Sequence, residues 1–277
     1  MGSVDVYRIT DTLDDPTLEV LVTRLESRGR HPRFIAMMNE YFDAMKIESA
    51  RSVLDLGCGT GIAARAIAHR KAFLGHVTGV DMSPYLVAEA KRLADEEGLT
   101  SSIEFRTGDS QRLELPDASF DSAVAHTLVS HVPEPIAVLR ELARIVKPGG
   151  SIAIFDGDYA SLTFGSDDPV KGKEDDETII DAIVTNPRVM RQMPNCYVRP
   201  AWSSPRRSHT SLRTSGRRTF GRPRFSRFCA FFPRQAPWPR AMLRHGWMPW
   251  SSVPIKASFS APATTTVTWP CGGESAQ

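Results

Sequence analysis

Val53-Leu54-Asp55-Leu56-Gly57-Cys58-Gly59-Thr60-Gly61 is the stretch that decides the fold. It opens as a short apolar strand, Ser52–Leu56, turns through three alternating glycines, and runs into the Ala-rich helical stretch Ile62–His69. Glycine at 57, 59 and 61 lets the backbone turn sharply and leaves no Cβ between the chain and whatever approaches it. The helix that follows directs its free N–H groups and the positive end of its dipole back at the same turn.

Outward from this stretch the same unit repeats. His76–Val80 reads as a strand and Pro84–Glu97 as a helix. Ile103–Thr107 and Phe120–Ala125 read as strands, the latter after the turn Pro116-Asp117-Ala118-Ser119. A helix follows from Pro135 to about Val146, stopped by Lys147-Pro148-Gly149-Gly150, and then a fifth strand, Ser151–Phe155. Repeated strand–helix units with right-handed crossovers imply an α/β fold: a doubly wound, mostly parallel sheet covered on both faces. Chain direction puts the glycine turn at the carboxyl edge of that sheet, where such folds bind ligands. The run Lys171–Glu177 reads as a polar loop or the start of a helix.

A lone glycine turn is weak evidence, because dinucleotide sites look alike. Here an acid comes first, then Gly-x-Gly-x-Gly, and further landmarks follow in order. These are Val80-Asp81-Met82-Ser83, Gly108-Asp109-Ser110, Leu115-Pro116 with Phe120-Asp121, and Leu142-x-Arg144-x-x-Lys147-Pro148-Gly149-Gly150. In this order the sequence resembles the class I S-adenosylmethionine-dependent methyltransferases, with a Rossmann-like fold, over roughly residues 35–194. The resemblance implies the cofactor S-adenosyl-L-methionine. It assigns to its binding Asp55, Gly57, Cys58, Gly59, Thr60, Gly61, Asp81, Met82, Asp109, Ser110 and His126. Asp81 would accept from the ribose hydroxyls, Asp109 or its neighbours would meet the adenine, and Asp55 would orient the amino-acid end. Cys58 reads as a small residue between glycines and not as a nucleophile, since no base is adjacent.

Methyl transfer from a sulfonium is a direct displacement, driven mainly by alignment in a dry site. An acceptor hydroxyl can need a base, whereas an amine need not. His126 and His131, after the fourth strand, are the candidate catalytic bases; Asp156, Asp158 and Tyr159 follow the fifth strand at the same edge. The acceptor is expected to be a small molecule, and its identity and the O-, N- or C-character of the methylation stay open.

Residues 1–50 form a helical N-terminal extension, with one helix starting at Asp15-Pro16 and a second over Pro32–Met45. They read either as a cover for a sheet edge or as a lid over the site. Residues 51–194 form the methyltransferase domain. No apolar run is long enough to span a bilayer, no secretory h-region precedes Asp15, and Cys58, Cys196, Cys229 and Cys271 form no CxxC pair. The expectation is a cytoplasmic protein with no metal site.

The net charge of +2 hides a break in composition. Residues 195–277 hold twelve Arg, one Lys and one acid, Glu274, together with all five Trp. A tail of this kind invites a nucleic-acid reading, which is set aside here for want of helical or strand periodicity. Codons read one base out of register offer another account. After Pro194 they can spell Leu-Leu-Arg-Glu-Ala-Gly-Leu-Glu. From Lys256 they can spell Gly-Val-Phe-Phe-Gly-Ala-Ser-Asn-Tyr-Tyr, with a stop near Glu274. Residues 195–277 are therefore expected to be an out-of-frame, irregular C-terminal tail with little regular secondary structure, leaving the fifth-strand side of the sheet exposed. A product impaired in catalysis is the corresponding alternative function.

Overall fold

The structure is a computed structural model that describes residues 5–164 and 167–193 and three strands beyond them. After a single 3-10 turn at Val6–Ile9 come helices α1 (Asp15–Gly29) and α2 (Pro32–Met45). Both begin with proline in the first turn behind a side-chain cap, Asp14 for α1 and His31 for α2. The alternating region is β1 (Ser52–Leu56), α3 (Ile62–Ala68), β2 (His76–Asp81), α4 (Pro84–Glu96), β3 (Ile103–Thr107), β4 (Phe120–His126), α5 (Pro135–Ile145) and β5 (Val146–Asp158). There follow β6 (Thr163–Phe164), α6 (Pro169–Ile183), α7 (Val189–Gln192), β7 (Arg206–Thr210), β8 (Phe259–Ser260) and β9 (Ala263–Pro270). The stretch Lys171–Glu177 lies inside α6, whose start is capped by Asp168.

The main sheet has the order β3-β2-β1-β4-β5-β9-β7. The first five strands are parallel, as expected. The order reverses beside β1, so the carboxyl ends of β1 and β4 open a crevice at the switch point. Successive residues along each strand face opposite layers. Val53, Val124, Ala153 and Phe155 pack with α2, α3 and α4; Leu54, Leu56, Ala125, Ile152 and Ile154 pack with α5 and α7.

Two boundaries differ from the sequence reading. β5 begins at Val146, not Ser151, because Val146 already pairs with Phe120; an irregularity between Phe120 and Ser122 then absorbs the Pro-Gly-Gly stretch. The tail differs more. The tail, expected to have little regular secondary structure, supplies strands at Arg206–Thr210, Phe259–Ser260 and Ala263–Pro270; the expected exposure of the fifth-strand side does not hold. β9 pairs antiparallel with β5 from Ser151↔Pro270 to Asp158↔Ala263, and β7 pairs with β9. The physical reason lies in Thr264-Thr265-Thr266-Val267-Thr268, a β-branched run with strong strand preference, and in a proline placed only at its end. The rest of the tail expectation falls outside the described residues. Among the described residues no helix is long and apolar enough to cross a membrane.

The layer that carries the glycine turn is packed without slack. Arg65 on α3 is buried and donates to Glu26 of α1 at 2.6 Å and to Glu97 at the end of α4, tying three helices together. A Cβ on Gly79, in the middle of β2, would lie 2.4 Å from Phe105 Cδ1. Gly79→Ala is therefore expected to cost about 1–3 kcal/mol by overpacking, read as a lower melting temperature; an unchanged melting temperature would show that Phe105 can give way.

Candidate functional site

The site grows from the end of β1. Gly57, Gly59 and Gly61 have φ of 70°, 52° and 78°, conformations that side-chain-bearing residues rarely adopt. The turn is fastened to the neighbouring strand. Gly57 N and Cys58 N both donate to Val80 O, at 2.7 and 3.0 Å, and Gly59 N donates to Asp81 Oδ2 at 2.8 Å. Ser83 N donates to Asp81 Oδ1 at 3.0 Å, so Asp81 is braced at the mouth of β2. Burial pushes its carboxyl above the usual range, against the pull of those amides.

Asp55 is buried on β1. Its Oδ2 accepts from Ala64 N at 3.0 Å, which locks the first turn of α3 onto the strand. Its Oδ1 has no hydrogen-bond partner among the described residues, and neither has the buried Thr60 hydroxyl. Burial raises the Asp55 carboxyl to about 7, with the Asp81 charge adding to the effect. An orphaned buried carboxylate oxygen beside a turn whose three glycines carry no Cβ is a cradle that lacks a polar occupant, and a cationic group suits it.

These residues line one cavity of about 480 Å³, together with Met82, Asp109, Ser110, His126 and His131. Of the residues assigned from sequence, Gly61 does not line it; that glycine turns the chain into α3. Asp109 sits at an exposed rim, where its Oδ1 accepts from Gln111 N at 2.8 Å. The Cys58 thiol is buried and pushed well above its ordinary value, which keeps it protonated and inert, in line with its reading as a small filler.

The N-terminal extension supplies the opposite wall. Tyr7, Arg8, Thr10, Asp11, Leu25 and Arg28 all line the cavity. Arg28 Nη2 donates to Thr127 Oγ1 at 3.0 Å. Thr127 has φ of 56°, a conformation that costs a β-branched residue about 1–3 kcal/mol and that persists only where the surroundings impose it.

The two histidines differ in setting. His126 ends β4, stacks on Phe155 with ring centroids 4.6 Å apart, and shares a 2.9 Å hydrogen bond through Nδ1 with the buried Tyr41 hydroxyl. Burial, helped by the Arg28 charge, lowers it to about 3, so it is neutral throughout the physiological range. His131 is buried in the loop after β4, with Nδ1 2.9 Å from Asp5 Oδ2. Asp156 is fully buried and accepts from Ser130 N, Ser130 Oγ and Gly157 N at 2.8–2.9 Å; it lies behind the site as a brace, and Asp158 pairs with Arg191. Sequence reasoning missed Tyr41 and Asp5. Tyr41 belonged to an apolar helical stripe, and nothing local marks a carboxylate that meets a histidine 126 positions later.

A doubly wound sheet with an acid-led glycine turn and a second acid after the next strand defines a cofactor-binding α/β domain. The comparisons agree on which. The family described as "Methyltransferase domain" matches residues 54–154. A phosphatidylethanolamine N-methyltransferase of Cereibacter sphaeroides is 42% identical over 102 residues, 37% of this chain and 48% of that protein. A sterol 24-C-methyltransferase of Gibberella zeae is 36% identical over 129 residues, 46% of this chain and 32% of that protein. The chain thus spans half or less of the length of these curated relatives. In fold it is similar to the YcgJ protein of Bacillus subtilis, with a TM-score of 0.58 at 15% identity over 86% of this chain and 98% of that one. Residues 54–154 are thus similar to a methyltransferase domain.

The raised Asp55 carboxyl gives a pH prediction. Its folded value, about 7, exceeds the unfolded one, so its contribution to stability is complete below the unfolded value and is lost as pH rises through 7. A cationic ligand group binds the ionised form. The affinity for S-adenosylhomocysteine is therefore expected to rise between about pH 6 and 7.5, and calorimetry on Asp55→Asn should show a flatter profile. An equally steep profile in the variant would assign the pH dependence elsewhere.

Proposed function

We propose that the chain is an S-adenosylmethionine-dependent methyltransferase that passes the methyl group to a small-molecule acceptor by direct displacement. The observation that carries this reading is Asp55, whose Oδ1 has no hydrogen-bond partner among the described residues, lining the same cavity as the glycine turn and Asp81. In this reading Asp55 and the Gly57–Gly61 backbone, with Cys58 and Thr60, hold the amino-acid end. Asp81 and Met82 hold the ribose, Asp109 and Ser110 face the adenine, and His126 walls the methyl end. When bound, the cofactor supplies an electrophilic methyl on a positively charged sulfur. The protein's own part is to align the acceptor with that carbon and to exclude water. The lid residues Tyr7, Leu25 and Arg28 serve the second task. The relatives carry N- and C-methyltransferase names, which supports small-molecule methylation as a class and leaves the acceptor to be found.

Asp81→Ala removes an acceptor of ribose hydroxyls. A lost hydrogen bond to a charged group is worth about 1.5–3 kcal/mol, so affinity for S-adenosylmethionine is expected to fall roughly ten- to a hundredfold by calorimetry. Unchanged affinity, or NAD competing for the same cavity, would contradict the assignment.

A second reading concerns the last third of the chain and rests on its composition: net charge +12 over residues 195–277, with a single acid. We infer a one-base shift in the codons around Pro194 and Asn195, yielding a product impaired in catalysis. Expressed in the restored frame, the chain should melt at a higher temperature and transfer methyl groups faster. Equal melting and turnover in the two frames would remove this reading, and a salt-dependent shift of DNA or RNA by the present chain would favour a nucleic-acid role for the tail.

A further inference from the structure

We propose that His131 is the proton acceptor of this site, that Asp5 is its positioning residue, and that the methyl acceptor is accordingly a hydroxyl compound. The proposal rests on the methyltransferase reading. His131 lines the cavity shared by the glycine turn, Asp81 and Thr127. Its Nδ1 lies 2.9 and 3.1 Å from the two oxygens of Asp5. Asp5 also accepts from Tyr7 N at 3.1 Å, and from Thr185 N and Thr185 Oγ1, both at 3.0 Å. With three other donors converging on it, Asp5 acts as an acceptor, so the hydrogen between the two side chains belongs to Nδ1. The lone pair then sits on Nε2, to which no described residue is hydrogen-bonded. This is the arrangement in which a carboxylate fixes the tautomer and orientation of an imidazole base.

The ring is enclosed on several sides. Facing the ring are Asp5, Tyr7 at 4.8 Å between ring centroids, Tyr159 at 6.3 Å, and Asp156, whose carboxyl His131 pulls down against its burial. Arg28 is the nearby cation, close enough to lower Tyr159. His126 shares the cavity but has a tyrosine hydroxyl in place of a carboxylate, and burial makes it too weak a base. Of the two histidines, His131 is the one whose Nδ1 is held by a carboxylate.

A base in this position bears on the acceptor class. An amine attacks with its free pair and can shed a proton afterwards; a hydroxyl is a poor nucleophile until its proton is leaving. In the step, the acceptor O–H passes its proton to His131 Nε2 while the oxygen forms the bond to the methyl carbon. The carbon–sulfur bond breaks with its electron pair going to sulfur, giving an ether and a neutral thioether. Asp5 remains a carboxylate throughout. Because Asp5 precedes the lid helices, the base is complete only when the N-terminal segment is seated.

The test uses the full ¹⁵N-labelled chain. Ring-nitrogen NMR should show His131 protonated at Nδ1 and free at Nε2. Asp5→Asn should abolish this tautomer preference, and Asp5→Glu should restore it. With catechol as the hydroxyl probe and ethanolamine as the amine probe, S-adenosylhomocysteine should be released with catechol. His131→Gln should slow release by roughly a hundredfold or more; Asp5→Asn should slow it less, with Asp5→Glu recovering the rate. A proton on Nε2, a tautomer indifferent to Asp5→Asn, or release with ethanolamine alone overturns the proposal. Calorimetry with S-adenosylhomocysteine on the same samples separates the two levels: retained binding leaves the methyltransferase reading standing, and absent binding removes both.

Discussion

Two acceptors at the end of β2 hold the whole site in register. The carbonyl of Val80 takes the amides of Gly57 and Cys58, and the carboxylate of Asp81 takes the amide of Gly59. Through these bonds the turn after β1 and the mouth of β2 become one rigid surface, and positive φ at three glycines is what allows the chain to follow it. The turn delivers α3 so that Ala64 N meets Asp55, and α3 in turn presents Arg65 to Glu26 and Glu97. The N-terminal helices are thus positioned from the same turn that frames the cavity.

That dependence explains why the cavity has two unlike walls. One is backbone and carboxylate, contributed by strand ends that the sheet fixes. The other is made of side chains from the N-terminal extension, held by Arg28 on Thr127 and by Asp5 on His131 and Thr185. The first wall offers acceptors suited to a ligand with cationic and hydroxyl groups; the second covers the same cavity with side chains.

The parallel sheet was legible because each element announces itself locally. β1 and β3 run into glycine and β2 ends on an acid, while Asp15-Pro16, Pro32, Pro84 and Pro135 mark helix starts. The acids Asp55 and Asp81 were legible because their spacing follows from the strand–turn–helix unit itself. What escaped was non-local. Tyr41 reads as core until β4 brings His126 against its hydroxyl, and nothing near Asp5 in the sequence marks it before the fold carries it to His131. Pairing across 85 and 126 positions leaves no period in the sequence. The tail failed in a different way. Its arginines and prolines argued against strands, yet the β-branched stretch around Val267 had enough local preference to pair with β5. Composition averaged over the tail concealed the short stretches that form β7, β8 and β9.

The central claim is that Asp55, the glycine turn and Asp81 form one binding surface for S-adenosylmethionine. A crystal structure of the full chain with S-adenosylhomocysteine tests it most directly. The account predicts the ligand's amino group against Asp55, its carboxylate on the amides after Gly59, and both ribose hydroxyls on Asp81. A ligand seated elsewhere, or one whose ribose avoids Asp81, would contradict it.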